Sequence, residues 1–158
     1  MRHIKIAVAL LLALGCFAFF MPGSYGKKDI KLSEFKLTDL DGNPVASESL
    51  QGKTVFLNIW ATWCGPCISE MPSIAQARQK LGPDVVFLLA SDETPDRIRK
   101  FEERRKTGLP LVHFANSSDF NFNAIPLTFI FDGKGQLKHR ELGARDWSKP
   151  DALKLFVK

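Results

Sequence analysis

One stretch constrains this chain more than any other: Val55 to Pro72, which reads V-F-L-N-I-W-A-T-W-C-G-P-C-I-S-E-M-P. Val55 to Trp60 is an apolar run rich in β-branched and aromatic residues, preceded by Gly52-Lys53, and it predicts a buried central strand. After Cys64-Gly65-Pro66-Cys67 the apolar positions fall at helical spacing, on Cys67, Met71, Ile74, Ala75 and Leu81. Pro66 suits the first helical turn, where its missing N–H leaves no bond unmade. The chain therefore runs strand, two-cysteine turn, helix.

That order has chemical consequences. Cys64 is expected where the first free N–H groups of the helix point. The positive end of the helix dipole favours its thiolate and lowers its pKa. Cys67 lies one turn further in and is less exposed. A separation of three lets the two sulfurs close a small disulfide ring, with Cys64 as the attacking thiol and Cys67 as the resolving one. Two other uses of the pair stay open. A zinc site would need two more ligands, and the other candidates are three histidines and scattered carboxylates, with His113 and His139 each standing alone. A purely structural disulfide would gain little from closing so short a loop.

W-A-T-W-C-G-P-C, with an apolar strand before it and E-M-P after it, resembles the thioredoxin superfamily. More narrowly it resembles the membrane-associated TlpA/ResA-like thiol-disulfide oxidoreductases. The resemblance reaches, more loosely, from about Phe35 to the C-terminus. It implies an α/β, thioredoxin-like fold: a central mixed sheet flanked by helices, with an N-terminal β-hairpin and a strand and helix inserted between Ser91 and Pro126. It implies a redox pair at Cys64 and Cys67, with Trp60, Trp63, Gly65 and Pro66 as neighbours, and no cofactor. Pro126 is implied to be a cis-proline packed against the cysteines, its backbone edge offered to substrate. The alternative is an ordinary trans proline at a strand mouth. Thioredoxins carry an aspartate where this chain has Asn58, which cannot titrate and is expected to bond to backbone. Glu70 then becomes the acid–base candidate, against the alternative of an exposed first-turn acid serving the helix dipole.

Gly65-Pro66 is the dipeptide of thioredoxin itself, a reductant near about −270 mV. The resemblance thus implies reduction of disulfides in extracytoplasmic thiol proteins, apocytochrome c among the candidates. It also implies recharging by a membrane electron-donor protein with its own cysteine pair. An alternative of another class is a copper-handling module holding the metal on the two cysteines. Copper carriers on this fold need a histidine close by, and His113 and His139 lie far along the chain.

The N-terminus predicts export. Arg2 and Lys5 form a basic start, Ile6 to Met21 is apolar without a charge, and Pro22-Gly23-Ser24 breaks the run. Ser24-Tyr25-Gly26 offers a small-x-small cleavage site. The uncharged stretch also approaches spanning length, so residues 4–21 could instead remain as a membrane tether. Cys16 after Leu14-Gly15 faintly suggests lipid attachment, but the apolar Phe17 to Phe20 favours a passive cysteine. The expected division is a leader or anchor over 1–26, a tether over 27–34 and one domain over 35–158, placed in the periplasm or on the outer face of the membrane. Of the net charge of +5, Arg2 and Lys5 supply two, leaving +3 for the rest. With no basic run interleaved with aromatics, nucleic-acid binding is excluded.

Along the chain, Phe35 to Thr38 predicts a half-buried strand, Asp41 to Pro44 a turn and Val45 a return strand. Val85 to Ala90 predicts a second buried strand. Thr94 and Pro95 open a helix whose inner stripe is Ile98, Phe101 and Arg105. Leu111 to Phe114 predicts a strand, and Asn116 to Asn123 a short helix with Phe120 and Phe122 plugging the core. Leu127 to Phe131 and Gln136 to Leu142 predict a hairpin about Asp132-Gly133, and Asp151 to Val157 a closing helix.

In the reduced protein at neutral pH, Cys64 is expected to alkylate faster than Cys67. Brief iodoacetamide treatment followed by mass mapping reads both rates; equal labelling would contradict the division of roles.

Overall fold

The apolar run before the cysteines becomes the strand Thr54–Ile59 (β2), all of whose residues are buried. In this computed structural model, which describes residues 30–156, β2 lies inside a six-stranded sheet. The other strands are Leu37–Thr38 (β1), Val85–Ser91 (β3), Leu111–Phe114 (β4), Leu127–Phe131 (β5) and Leu137–Leu142 (β6). Their order is β1-β4-β3-β2-β5-β6. β2 runs parallel to β3 and antiparallel to β5, and β4 is the inserted strand, parallel to β3. The expected leader and its cleavage, anchor and lipid alternatives lie outside the described residues. Among the described residues, no helix is long and apolar enough to cross a membrane.

Side chains along a strand alternate between faces. After the short helix Ser47–Leu50 (α1), Phe56 and Trp60 therefore meet Cys67, Met71 and Ile74 of the helix Gly65–Leu81 (α2). Val55, Leu57 and Ile59 point the other way, into a second core with Phe35, Phe114 and Phe129. Asn58 and Thr128 share the α2 face, where polar groups need partners. Phe120 and Phe122 plug the second core as expected: Phe120 stacks on Phe35 at 4.6 Å, and Phe122 lies 5.5 Å from Phe129.

Several boundaries differ from expectation. The buried stripe of α2 is Cys67, Glu70, Met71, Ile74 and Ala77; Ala75 and Leu81 are only half-buried. The polar Glu70 takes an inward place that hydrophobicity alone did not claim for it. Pro72 sits on the exposed side and the helix continues through it. In the helix Pro95–Arg105 (α3), Ile98 and Phe101 are buried but Arg105 is exposed, since a guanidinium at the helix end keeps its water. The segment after Asn116 forms one 3-10 turn, Ser117–Asp119. The N-terminal hairpin is short, held by the Thr38–Pro44 bridge with Val45 N–H donating to the Leu37 carbonyl at 2.9 Å, and β1 also pairs with β4 at the sheet edge. From Lys31 onward the stretch read as a tether is docked, with Leu32 N–H donating to the Gly135 carbonyl at 3.0 Å. The closing helix shortens to Pro150–Leu153 (α4) and a 3-10 turn, Lys154–Phe156.

The end of the sheet opposite the cysteines closes by backbone contact. Gly52 N–H donates to the Gly133 carbonyl at 2.9 Å, and a Cβ on Gly133 would stand 2.8 Å from the Gly52 carbonyl carbon. Gly133→Ala is expected to cost about 1–3 kcal/mol, as overpacking does. The drop should appear in the urea midpoint, with cysteine alkylation rates unchanged because β2 separates the two regions.

Candidate active site

Cys64 is the N-cap of α2, and its Sγ accepts the Cys67 backbone N–H at 3.2 Å. The two cysteines form a disulfide, with Cα atoms 5.3 Å apart. Cys64 is 5% exposed and Cys67 1%, so both cysteines are buried in the disulfide form. Gly65 and Pro66 occupy the exposed first turn, and a Cβ on Gly65 would meet nothing within 4 Å. Its place is therefore sterically open.

The two tryptophans separate. Trp63 is 69% exposed beside the disulfide, whereas Trp60 is buried against Phe101 at 4.8 Å. Trp60 belongs to the core and Trp63 to the surface. Pro126 is buried, and the Ile125–Pro126 peptide is cis, as the resemblance implied. It lies at the same end of the sheet as the cysteines, because Leu127 pairs with Ile59, the last residue of β2. The Pro126 carbonyl accepts the Gly143 N–H at 2.9 Å. A cavity of about 470 Å3 is lined by Trp63, Asp92, Phe120, Phe122 and Ile125, between the cysteine loop and the segment before the cis-proline.

Glu70 is 3% exposed, so it is not a surface acid at the helix start. Its Oε1 accepts Asn58 Nδ2–H at 2.9 Å, and its Oε2 accepts Arg145 N–H and Trp147 Nε1–H, each at 3.1 Å. Asn58 also donates to Thr128 Oγ1 at 2.9 Å. Its partners are thus side chains, not the backbone groups expected, because α2 brings a carboxylate directly over β2. Burial pushes the Glu70 carboxyl up from its ordinary range, and the N–H donors of Arg145, Asn58 and Trp147 pull it back only in part.

Sequence reading missed Glu93, Arg145 and Trp147. Glu93 Oε2 accepts Thr62 N–H at 2.6 Å and its Oε1 accepts Thr62 Oγ–H at 2.8 Å, while Arg97 pairs with Oε1 at 2.7 Å. This pins the loop before Cys64 to the β3–α3 connection. In the sequence Glu93 looked only like part of a helix start. His113 and His139 stay away from the sulfurs, on β4 and β6, bonded to the Glu93 carbonyl and to Glu141. Among the described residues, no three histidines, cysteines or carboxylates group as a metal site.

The redoxin family profile matches residues 27–155. The chain belongs to the redoxin family, in its ResA-like thioredoxin branch. This redoxin is 30% identical over 142 residues to the thiol-disulfide oxidoreductase ResA of Bacillus cereus, covering 87% of this chain and 80% of the relative. It is 27% identical over 148 residues to the thioredoxin-like protein YneN of Bacillus subtilis, covering 86% and 87%. Among solved structures, StoA from Bacillus subtilis superposes with a TM-score of 0.63 at 17% identity, covering 77% of this chain and 94% of that one. The redoxin is a thiol-disulfide oxidoreductase.

The Glu70 shift makes stability depend on pH. A carboxyl whose folded pKa lies above its unfolded value favours folding most when protonated. Its contribution is full below the ordinary value of about 4.3 and is lost as pH rises through the raised one. The stability of Glu70→Gln relative to the parent is therefore expected to rise across that window and level off above it. Urea midpoints from about pH 4 to about pH 9 check this; parallel curves would mean that Glu70 does not titrate there.

Proposed function

We propose that this redoxin is an exported protein-disulfide reductase. The observation that carries the reading is the Cys64–Cys67 pair at the N-cap of α2, with a buried carboxylate one turn behind the inner sulfur. In the reduced form the Cys64 thiolate attacks one sulfur of a substrate disulfide. A mixed disulfide forms and the first substrate thiolate leaves. Cys67 then gives up its proton and attacks the Cys64 sulfur, which releases the second substrate thiolate and closes the Cys64–Cys67 disulfide. Two electrons pass from the dithiol to the substrate, and the substrate thiolates take up protons. Glu70, on the same buried face of α2 as Cys67, is the group that accepts and returns the inner thiol's proton.

Substrate backbone is received at the edge of Ile125 before cis-Pro126, since the Pro126 carbonyl is already engaged by Gly143. The adjoining cavity takes an apolar substrate side chain between Trp63 and Phe120. The reducing direction is supported by Gly65-Pro66, and it requires recharging by a membrane thiol protein. Export is supported by Arg2, Lys5 and the uncharged run from Ile6 to Met21, as leader or as anchor through residues 4–21. The substrates are then thiol proteins outside the cytoplasm.

Cys67→Ala is expected to accumulate mixed disulfides with exported proteins through Cys64, and Cys64→Ala few. Non-reducing gels with mass spectrometry of the adducts decide this and name the partners. The parent is also expected to reduce insulin at a rate that copper chelation leaves unchanged. Adducts from neither variant, together with tight copper binding by the parent, would overturn the reductase in favour of a copper-handling role.

A further inference from the structure

Two of the three N–H groups on Glu70 come from one distant connection, the loop between β6 and α4. That loop is fastened at several points. The Arg145 guanidinium binds Glu141 at 2.8 Å and Asp151 at 2.6 Å, and its carbon lies 5.6 Å from the centre of the Trp147 ring. Trp147 N–H donates to Ser73 Oγ on α2 at 3.1 Å. The fully buried indole meets Phe56 edge-on at 4.9 Å and donates its Nε1–H to Glu70 Oε2.

Filling the core does not require that alignment. Trp60 is buried in the same cluster, and its Nε1 has no partner among the described residues. The two indoles therefore differ in the polar contact, not in burial. With Asn58 on Oε1 and two donors on Oε2, the carboxylate is held from both sides, one helical turn from Cys67.

We propose that Trp147 is a positioning residue for this dithiol chemistry: its indole N–H, seated by Arg145, holds the Glu70 carboxylate in the orientation that serves Cys67. The inference rests on the acid–base reading of Glu70. Charged groups around that carboxylate are few. On α2 it shares the buried face with Cys67, Met71 and Ile74, while Ser73 Oγ–H bonds its backbone carbonyl, and β2 and β5 supply the neutral Asn58 and Thr128. The β6–α4 loop supplies Arg145, whose guanidinium is turned to Glu141 on β6 and Asp151 on α4. A donor that favours the ionised carboxylate therefore acts without a strong competing charge. Trp147→Phe keeps a ring and removes the donor. Glu70 then stays protonated to higher pH, and the resolving step slows on the acid side of its profile.

The test uses the reduced protein and the aromatic disulfide 5,5′-dithiobis(2-nitrobenzoate), whose first and second thiolates report attack by Cys64 and resolution by Cys67. Second-thiolate release is followed against pH in the parent, Trp147→Phe, Glu70→Gln and the double variant. In Trp147→Phe the acid limb is expected to move up by roughly one pH unit, the scale of one hydrogen bond to a charged group. Glu70→Gln loses the limb, and the double variant matches Glu70→Gln. An unmoved limb in Trp147→Phe, with the limb lost in Glu70→Gln, overturns the role of Trp147 and leaves that of Glu70. A limb retained in Glu70→Gln overturns both. Should Trp147→Phe fail to fold, the Trp147 indole proton resonance of the unmutated protein replaces it. That resonance is expected to shift with the midpoint of the acid limb, and a pH-independent resonance overturns the proposal.

Discussion

A carboxylate taken out of water needs hydrogen-bond donors, and Glu70 draws three of them from two distant parts of the chain. Asn58 reaches it from the central strand, Thr128 supports Asn58 from β5, and the β6–α4 loop supplies the remaining two N–H groups. An unpartnered polar group here would cost about 1–3 kcal/mol, more for a charge, so the elements are tied to one another through this node. The same node stands one turn behind the inner cysteine. One set of contacts thus ties together β2, β5, α2 and the β6–α4 loop behind the cysteine turn.

The two faces of β2 divide the labour. Toward α2 the strand presents Phe56, Asn58 and Trp60, and there the polar network and the cysteines sit within an apolar surround. On the other face, Val55, Leu57 and Ile59 pack into an aromatic layer built on Phe35, Phe114, Phe120 and Phe129. That second layer depends on the inserted segment, because β4 and the turn after it carry Phe114 and Phe120. The insertion also lines the cavity beside Trp63, so the residues that complete the core also shape the approach to the disulfide.

The outer cysteine is held by different means. Its loop is fixed by Glu93 through Thr62, and its sulfur caps the helix by accepting the Cys67 N–H. A sulfur in that position feels the positive helix end. Cys64 thus sits at the helix end behind a surface-side clamp, whereas Cys67 lies on the buried face of α2 that also carries Glu70. Two thiols separated by three residues acquire distinct environments from the start of a single helix.

The local pattern around the cysteines was legible because it depends on short-range rules. An apolar run makes a strand, the cysteine turn makes an N-cap, and apolar spacing makes α2. The cis-proline and the inserted strand were legible through the family pattern about W-C-G-P-C, not through propensity. What the sequence could not specify were the partners drawn from afar. Asn58 was expected to bond to backbone and instead bridges Glu70 and Thr128. Ala77 replaced Ala75 in the buried stripe of α2 because helix rotation follows the whole contact surface, Glu70 included. Besides its short hairpin return, β1 pairs with β4, a neighbour far along the chain that only the packed sheet brings beside it. Nothing near Trp147 in the sequence points to a cysteine 80 positions earlier. Local order comes from backbone geometry and side-chain period, which the sequence determines; the fate of a buried polar atom depends on which distant donors packing brings within hydrogen-bond reach, which only the tertiary structure decided.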